Sequence, residues 1–208
     1  MEKQQTVNVK DMVEIALFAA IMLILAFTPL GYIPLTPAVN ATTMHIPVIL
    51  AGILLGKKKG AIMGFLFGLT SLYKATFTPI LTSFLFSPFQ GGNLLSLVIC
   101  FVPRILIGVV AAASFGFLFK LVKNETFALA AAGVLGSLTN TILVMGMAYL
   151  FFAEQYANAI GQDAGKLLGF IISGVIIVNG IPEAIVAGII SAGVGKALLV
   201  VNRKRAIA

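Results

Sequence analysis

Apolar residues fall into six long runs along this chain, separated by short clusters of proline, glycine and charge. Long apolar runs bounded by such breakers read as membrane helices rather than as strands. The pattern predicts helices over about 12–27, 43–55, 60–73, 94–121, 127–152 and 166–201. The first stops at Thr28-Pro29. The second and third are short for a hydrocarbon core of about 30 Å. Gly56-Lys57-Lys58-Lys59-Gly60 between them nevertheless predicts a turn and not one continuous span. Three adjacent lysines at the bilayer centre would cost roughly 2.5–3.5 kcal/mol each on insertion scales.

Composition strengthens this picture. Sixty per cent of the residues are hydrophobic and 10% are charged, with a mean hydropathy of +1.08. A soluble domain carries about 25% charged residues, more than this chain can supply to a water-facing surface. The 208 residues leave room for six or seven crossings at about 20 residues each. The expected fold is therefore an all-α membrane protein, a compact bundle of six transmembrane helices forming a single domain over 1–208.

Basic residues orient the bundle. With the N-terminus inside, the cytoplasmic segments hold Lys3, Lys10, Lys57, Lys58, Lys59, Lys120, Lys123, Lys196, Arg203, Lys204 and Arg205, eleven of the fourteen Lys and Arg. Only Lys74, Arg104 and Lys166 fall outside or within a span. This bias predicts cytoplasmic N- and C-termini and an even number of helices. The polar N-terminus lacks the basic start and small-residue cleavage site of a leader, so none is expected. The net charge of +7 sits in gaps between apolar runs, with no basic stripe, and does not point to nucleic acid. The single cysteine, Cys100, permits no internal disulfide and no cysteine-based zinc site.

The same topology places three longer loops outside, at 29–42, 74–93 and 153–165. The first contains Pro29, Pro34 and Pro37, and the second is rich in phenylalanine, including Phe84. Loops of this length either cover a site or, where aromatic, lie in the membrane interface.

Rare polar residues within such a bundle are the candidate chemistry, since burying them unpaired is costly. The ionisable ones are His45, Lys74, Arg104 and Glu183; amides add Asn40, Asn93, Asn140 and Asn179. With Phe84 they form the candidate substrate-binding set. Arg104 follows Pro103 in an apolar run, and an arginine there must find an anion, carbonyl oxygens or water. It can clamp a ligand carboxylate or phosphate, pair with Glu183, or reach a wet cavity. Asn179-Gly180-Ile181-Pro182-Glu183 predicts a break in the sixth helix, tolerable only against protein or a cavity. His45 lacks a second histidine or a cysteine partner, so no metal site is expected.

Small residues recur every fourth position at Ala16 and Ala20, at Gly64 and Gly68, and at Gly108, Ala112 and Gly116. Each pair is either an internal packing seam or an outward face for another membrane protein. There is no P-loop, nucleophile elbow, zinc-protease motif or pair of catalytic carboxylates in one span, so no enzyme is expected. A self-sufficient secondary carrier should show repeated halves with matching broken helices, and only the sixth helix has an obvious break.

In combination, the stretches FTPLGYIPL, TTMHIPVILAGILLGKKKGAIMGFLFGLTSLYKA, TSFLFSPF, VPRILIGVV, SLTNTILVMG and NGIPEAIVAGII resemble the substrate-capture (S) subunits of energy-coupling factor (ECF) vitamin transporters. The resemblance covers essentially the whole chain. It implies a multi-pass subunit of the bacterial plasma membrane that binds a B-type vitamin near the outer face, beneath the loops at 29–42 and 74–93. It also implies a transmembrane coupling (T) subunit and two ATPase subunits as partners. ATP and Mg would be used by those partners, and this chain would bind no cofactor. Vitamin would be delivered by the S subunit toppling in the membrane. The docking face for the T subunit would fall on Ala16 and Ala20. The His-Ile-Pro-Val, Thr-Ser-Phe and Pro-Arg-Ile-Leu stretches are most similar to the pantothenate branch, while subunits for pyridoxine or hydroxymethylpyrimidine share several of them.

Overall fold

The computed structural model describes residues 9–36 and 39–207, with the side chains of 10, 11, 34–36, 39–41 and 202–207 left undescribed. The extreme N-terminus, Lys3 included, and Pro37 lie outside the described residues. The described residues fold into six helices: α1 (Val9–Ala26), α2 (His45–Leu55), α3 (Lys57–Phe77), α4 (Leu94–Val122), α5 (Glu125–Ala159) and a composite sixth. The sixth begins as α6 (Leu167–Phe170), passes through a π-helical stretch (Ile171–Gly180) and continues as α7 (Ile181–Ile207). Three helical segments, Leu94–Val122, Glu125–Ala159 and Ala164–Val201, are long and apolar enough to cross a membrane.

The shortest helix is the most central. Its 11 residues span only about 17 Å at 1.5 Å per residue. Every residue from His45 to Ile53 is buried, as expected of a helix that is apolar all round. Around it lie α1, α3, α4, α5 and α7. The turn before α3 is the single residue Gly56, at φ 92°, and the three lysines form the first turn of α3 rather than a loop. Close approach on this side depends on glycine, because a Cβ on Gly108 of α4 would collide with the backbone of Gly60.

Side-chain caps set two helix starts. Asn93 accepts from the Leu95 N–H at 2.8 Å, and Ser96 Oγ accepts from the Asn93 N–H at 3.1 Å, a reciprocal capping box for α4. Asn124 accepts from the Phe127 N–H at 3.0 Å and opens α5. Helix α5 does not stop at residue 152 as its hydropathy suggests. A non-helical step at Phe152 bends it, and the helix runs on to Ala159.

The expected loop at 29–42 contains a two-stranded antiparallel hairpin, β1 (Tyr32–Thr36) and β2 (Val39–Thr42), with Tyr32 opposite Thr42. The aromatic loop after α3 is organised by its own hydroxyls. Ser83 Oγ accepts from the Ile80 N–H at 2.8 Å, Thr76 Oγ1 bonds Ser87 Oγ at 2.8 Å, and Ser96 Oγ donates to the Phe84 carbonyl at 2.6 Å. Gln155 of α5 ties down its far end by donating to the Gly91 carbonyl at 2.9 Å.

The sixth helix is not broken at Asn179-Gly180-Ile181-Pro182. Its hydrogen bonding lengthens instead, and the Ile181 N–H reaches the Ile176 carbonyl, five residues back. A π stretch of this kind accommodates the donor that Pro182 lacks without exposing a helix end.

Candidate functional site

A cavity of about 370 Å³ lies beneath the hairpin and the aromatic loop, within the roughly 300–1,000 Å³ usual for small-molecule sites. Its walls come from β1, β2, α3, the aromatic loop, α4, α5 and the sixth helix. Five candidate residues from distant parts of the sequence meet there: Lys74, Arg104, Asn140, Asn179 and Glu183.

Arg104 is 6% exposed, and its position follows from the residue before it. Pro103 cannot supply the N–H that would bond the Ile99 carbonyl four residues back. Arg104 Nη1 donates to that carbonyl at 2.9 Å. The guanidinium also lies over the rings of Phe86, at 4.6 Å, and Phe67, at 5.4 Å, on whose faces a cation is favoured. Nε is buried without a partner. Of the expected alternatives, the pairing with Glu183 is absent: among the described residues no carboxylate forms an ion pair with Arg104. Its main chain is locked from α3, since a Cβ on Gly64 would collide with the Arg104 carbonyl.

Lys74 adds a second cation, its Nζ 5.4 Å from the centre of the Tyr32 ring. Tyr32 Oη bonds Ser71 Oγ at 3.3 Å, which joins the hairpin to α3 one turn before Lys74. Burial raises the Tyr32 phenol above its ordinary pKa, and the Ser71 bond and the Arg104 charge oppose it. The hydroxyl therefore stays protonated at neutral pH.

Acceptors reach the cavity from α5 and the sixth helix. Glu183 Oε1 accepts from the Thr42 N–H at 2.6 Å and fastens the end of β2 to α7. Asn140 is 7% exposed, and its Oδ1 has no partner. Asn179 reaches the cavity from the π-helical stretch, where the altered helical phase sets which residues face inward.

Four candidates lie elsewhere or beyond description. Phe84 packs edge-on against Phe152 at 5.8 Å, away from the cavity, while Phe86 takes the place beside Arg104. Asn93 is spent on capping α4 and is exposed. His45 is buried at 1% exposure but does not line the cavity. Asn40 is placed only by its backbone, opposite Pro34; its side chain lies outside the described residues. Tyr32, Phe67, Ser71, Phe86, Thr141 and Tyr156 line the cavity without having been singled out from sequence. Spacing could have flagged two of them. Ser71 lies one turn before Lys74, and Thr141 adjoins Asn140.

The small-residue motifs divide in two. Gly64, Gly68 and Gly108 are internal contacts, whereas Ala16 and Ala20 are exposed on α1.

Residues 10–195 match the family model described as ECF transporter, substrate-specific component. The pantothenic acid transporter PanT of Lactococcus lactis subsp. cremoris is 35% identical over 195 residues, covering 90% of this chain and 93% of the relative. The pantothenate transporter PanT of Leuconostoc mesenteroides subsp. mesenteroides is 32% identical over 209 residues, covering 95% and 96%.

Proposed function

The chain belongs to the family of ECF transporter substrate-specific components, and from that premise we propose that it is the membrane subunit that captures pantothenate for an ATP-driven importer. It is a transport component and not an enzyme. The observation that carries the choice of ligand is Arg104: a buried guanidinium lining a cavity, with no carboxylate paired to it among the described residues. Pantothenate is a monoanion whose single carboxylate would supply that charge, and both curated relatives bear its name. Lys74, at the outer end of α3, would draw the anion in and assist the clamp.

In this reading the six helices cross the bacterial plasma membrane with both termini in the cytoplasm, as the distribution of lysine and arginine supports. The hairpin and the aromatic loop lie over the cavity on the outer side. A T subunit would dock on the exposed face of α1 at Ala16 and Ala20, where small side chains permit close approach. Two ATPase subunits would consume ATP and Mg and drive the subunit to topple and release vitamin inside.

A thermal-shift screen of the purified chain in detergent tests the ligand. Pantothenate at a hundred times its dissociation constant should stabilise the protein by about 2.7 kcal/mol. Pyridoxine, hydroxymethylpyrimidine, riboflavin, thiamine, folate and biotin should give no shift. Stabilisation by one of these instead keeps the capture role and overturns pantothenate; net transport by the lone chain in liposomes overturns the need for partners.

A further inference from the structure

The cavity lining makes two opposite hydrogen-bonding demands. Arg104 Nε and the Lys74 ammonium are donors only and call for an acceptor. Asn140 Oδ1, buried and unpartnered, calls for a donor. Glu183 already receives the Thr42 N–H on Oε1, which leaves Oε2 for a second donor. A ligand carboxylate set against Glu183 would meet like charge, whereas Arg104 and Lys74 offer it donors only. An ammonium would pair with Glu183, but two cations against one carboxylate leave the cavity with an excess positive charge that suits a net anion. Neutral hydroxyls satisfy both acceptors without changing that balance.

We propose that Asn140 and Glu183 form a hydroxyl subsite that orients the ligand, with its carboxylate on Arg104 and its dihydroxy end between α5 and α7. The assignment rests on the pantothenate reading above and adds the ligand's direction and the groups that discriminate it. Pantothenate carries two hydroxyls at the end remote from its carboxylate, separated by a carbon bearing two methyl groups. Val144 lies one turn along α5 from Asn140, and Val175 lines the same cavity from the π-helical stretch. These valines give the two methyl groups an apolar wall beside the acceptors. The subsite also sits at the base of the hairpin, because Glu183 holds Thr42.

Titration calorimetry on the detergent-solubilised full chain tests this with four ligands: pantothenate, the two analogues that each lack one hydroxyl, and pantothenol, which lacks the carboxylate. Asn140→Leu should weaken pantothenate about 10–100-fold, the range of a lost hydrogen bond to a buried group, and the analogue lacking its partner hydroxyl by less than about threefold. Arg104→Ala should show the complementary pattern, with pantothenate weakened and pantothenol little changed. Glu183→Gln, which keeps an acceptor and the shape, should lose less than Asn140→Leu and guards against a folding defect in the latter. Equal losses for pantothenate and both deoxy analogues in Asn140→Leu overturn the subsite while leaving the vitamin intact. A wild-type chain with no affinity for pantothenate overturns the vitamin assignment and the subsite with it.

Discussion

Arg104 Nη1 donates to the Ile99 carbonyl at 2.9 Å, and that carbonyl is the one Pro103 leaves without a helix donor. A defect in the α4 ladder thus becomes the anchor of its buried cation. The anchor uses one edge of the guanidinium, sets it over the rings of Phe67 and Phe86, and leaves Nε without a partner.

Pro103→Ala restores an N–H to the Ile99 carbonyl and displaces the guanidinium. Stability and affinity should then move in opposite directions. The melting temperature should rise, because proline in a helix interior costs about 3 kcal/mol. Pantothenate affinity should fall about 5–10-fold, the worth of roughly one hydrogen bond. Calorimetry alongside thermal unfolding reads both.

Gly64 and Gly116 should respond differently to the same substitution. A side chain at Gly64 would strike the Arg104 carbonyl, while nothing lies within 4 Å of a Cβ at Gly116. Overpacking costs typically about 1–3 kcal/mol. Thermal unfolding in detergent should show Gly64→Val lowered well below wild type and weak in pantothenate binding, with Gly116→Val close to wild type.

Glu183 holds the hairpin through the Thr42 N–H. Leaving a buried N–H unsatisfied costs about 1–3 kcal/mol. Glu183→Ala should therefore speed exchange of the Thr42 amide about 10–100-fold, read by hydrogen–deuterium exchange on the peptide containing it.

Ala16→Trp and Ala20→Trp alter an exposed face remote from the cavity lining. Vitamin binding by the isolated chain should be unchanged, whereas ATP-driven uptake with the partner subunits present should be lost. Equal effects on both readouts would contradict a docking role.

Much of this architecture is legible in sequence because lipid imposes simple rules. Charge depletion and apolar runs are enough to reveal six helices, and the lone arginine after a proline in α4 marks the cavity. The end of α5 is hidden because it changes surroundings: in 153–159, Glu154, Gln155 and Asn158 are exposed while Tyr156 and Ala157 are buried. Such a mixture reads as a loop when apolarity is the signal. The hairpin is masked by Pro34 and Pro37, since proline argues against strand. Phe84 and Phe86 could not be told apart, because 3-10 turns and bends decide which ring faces Arg104. Asn93 did carry a signal that was open to reading: an asparagine three residues before Ser96, at the start of an apolar run, is a helix cap.

The most direct test of the central claim compares pantothenate with pantothenol on the wild-type chain and on Arg104→Ala by titration calorimetry. A charge-assisted bond lost from a buried site is worth about 1.5–3 kcal/mol, or roughly 10–150-fold in affinity. Wild type should prefer pantothenate by about that factor, and Arg104→Ala should abolish the preference. A preference that survives the substitution would contradict Arg104 as the carboxylate clamp.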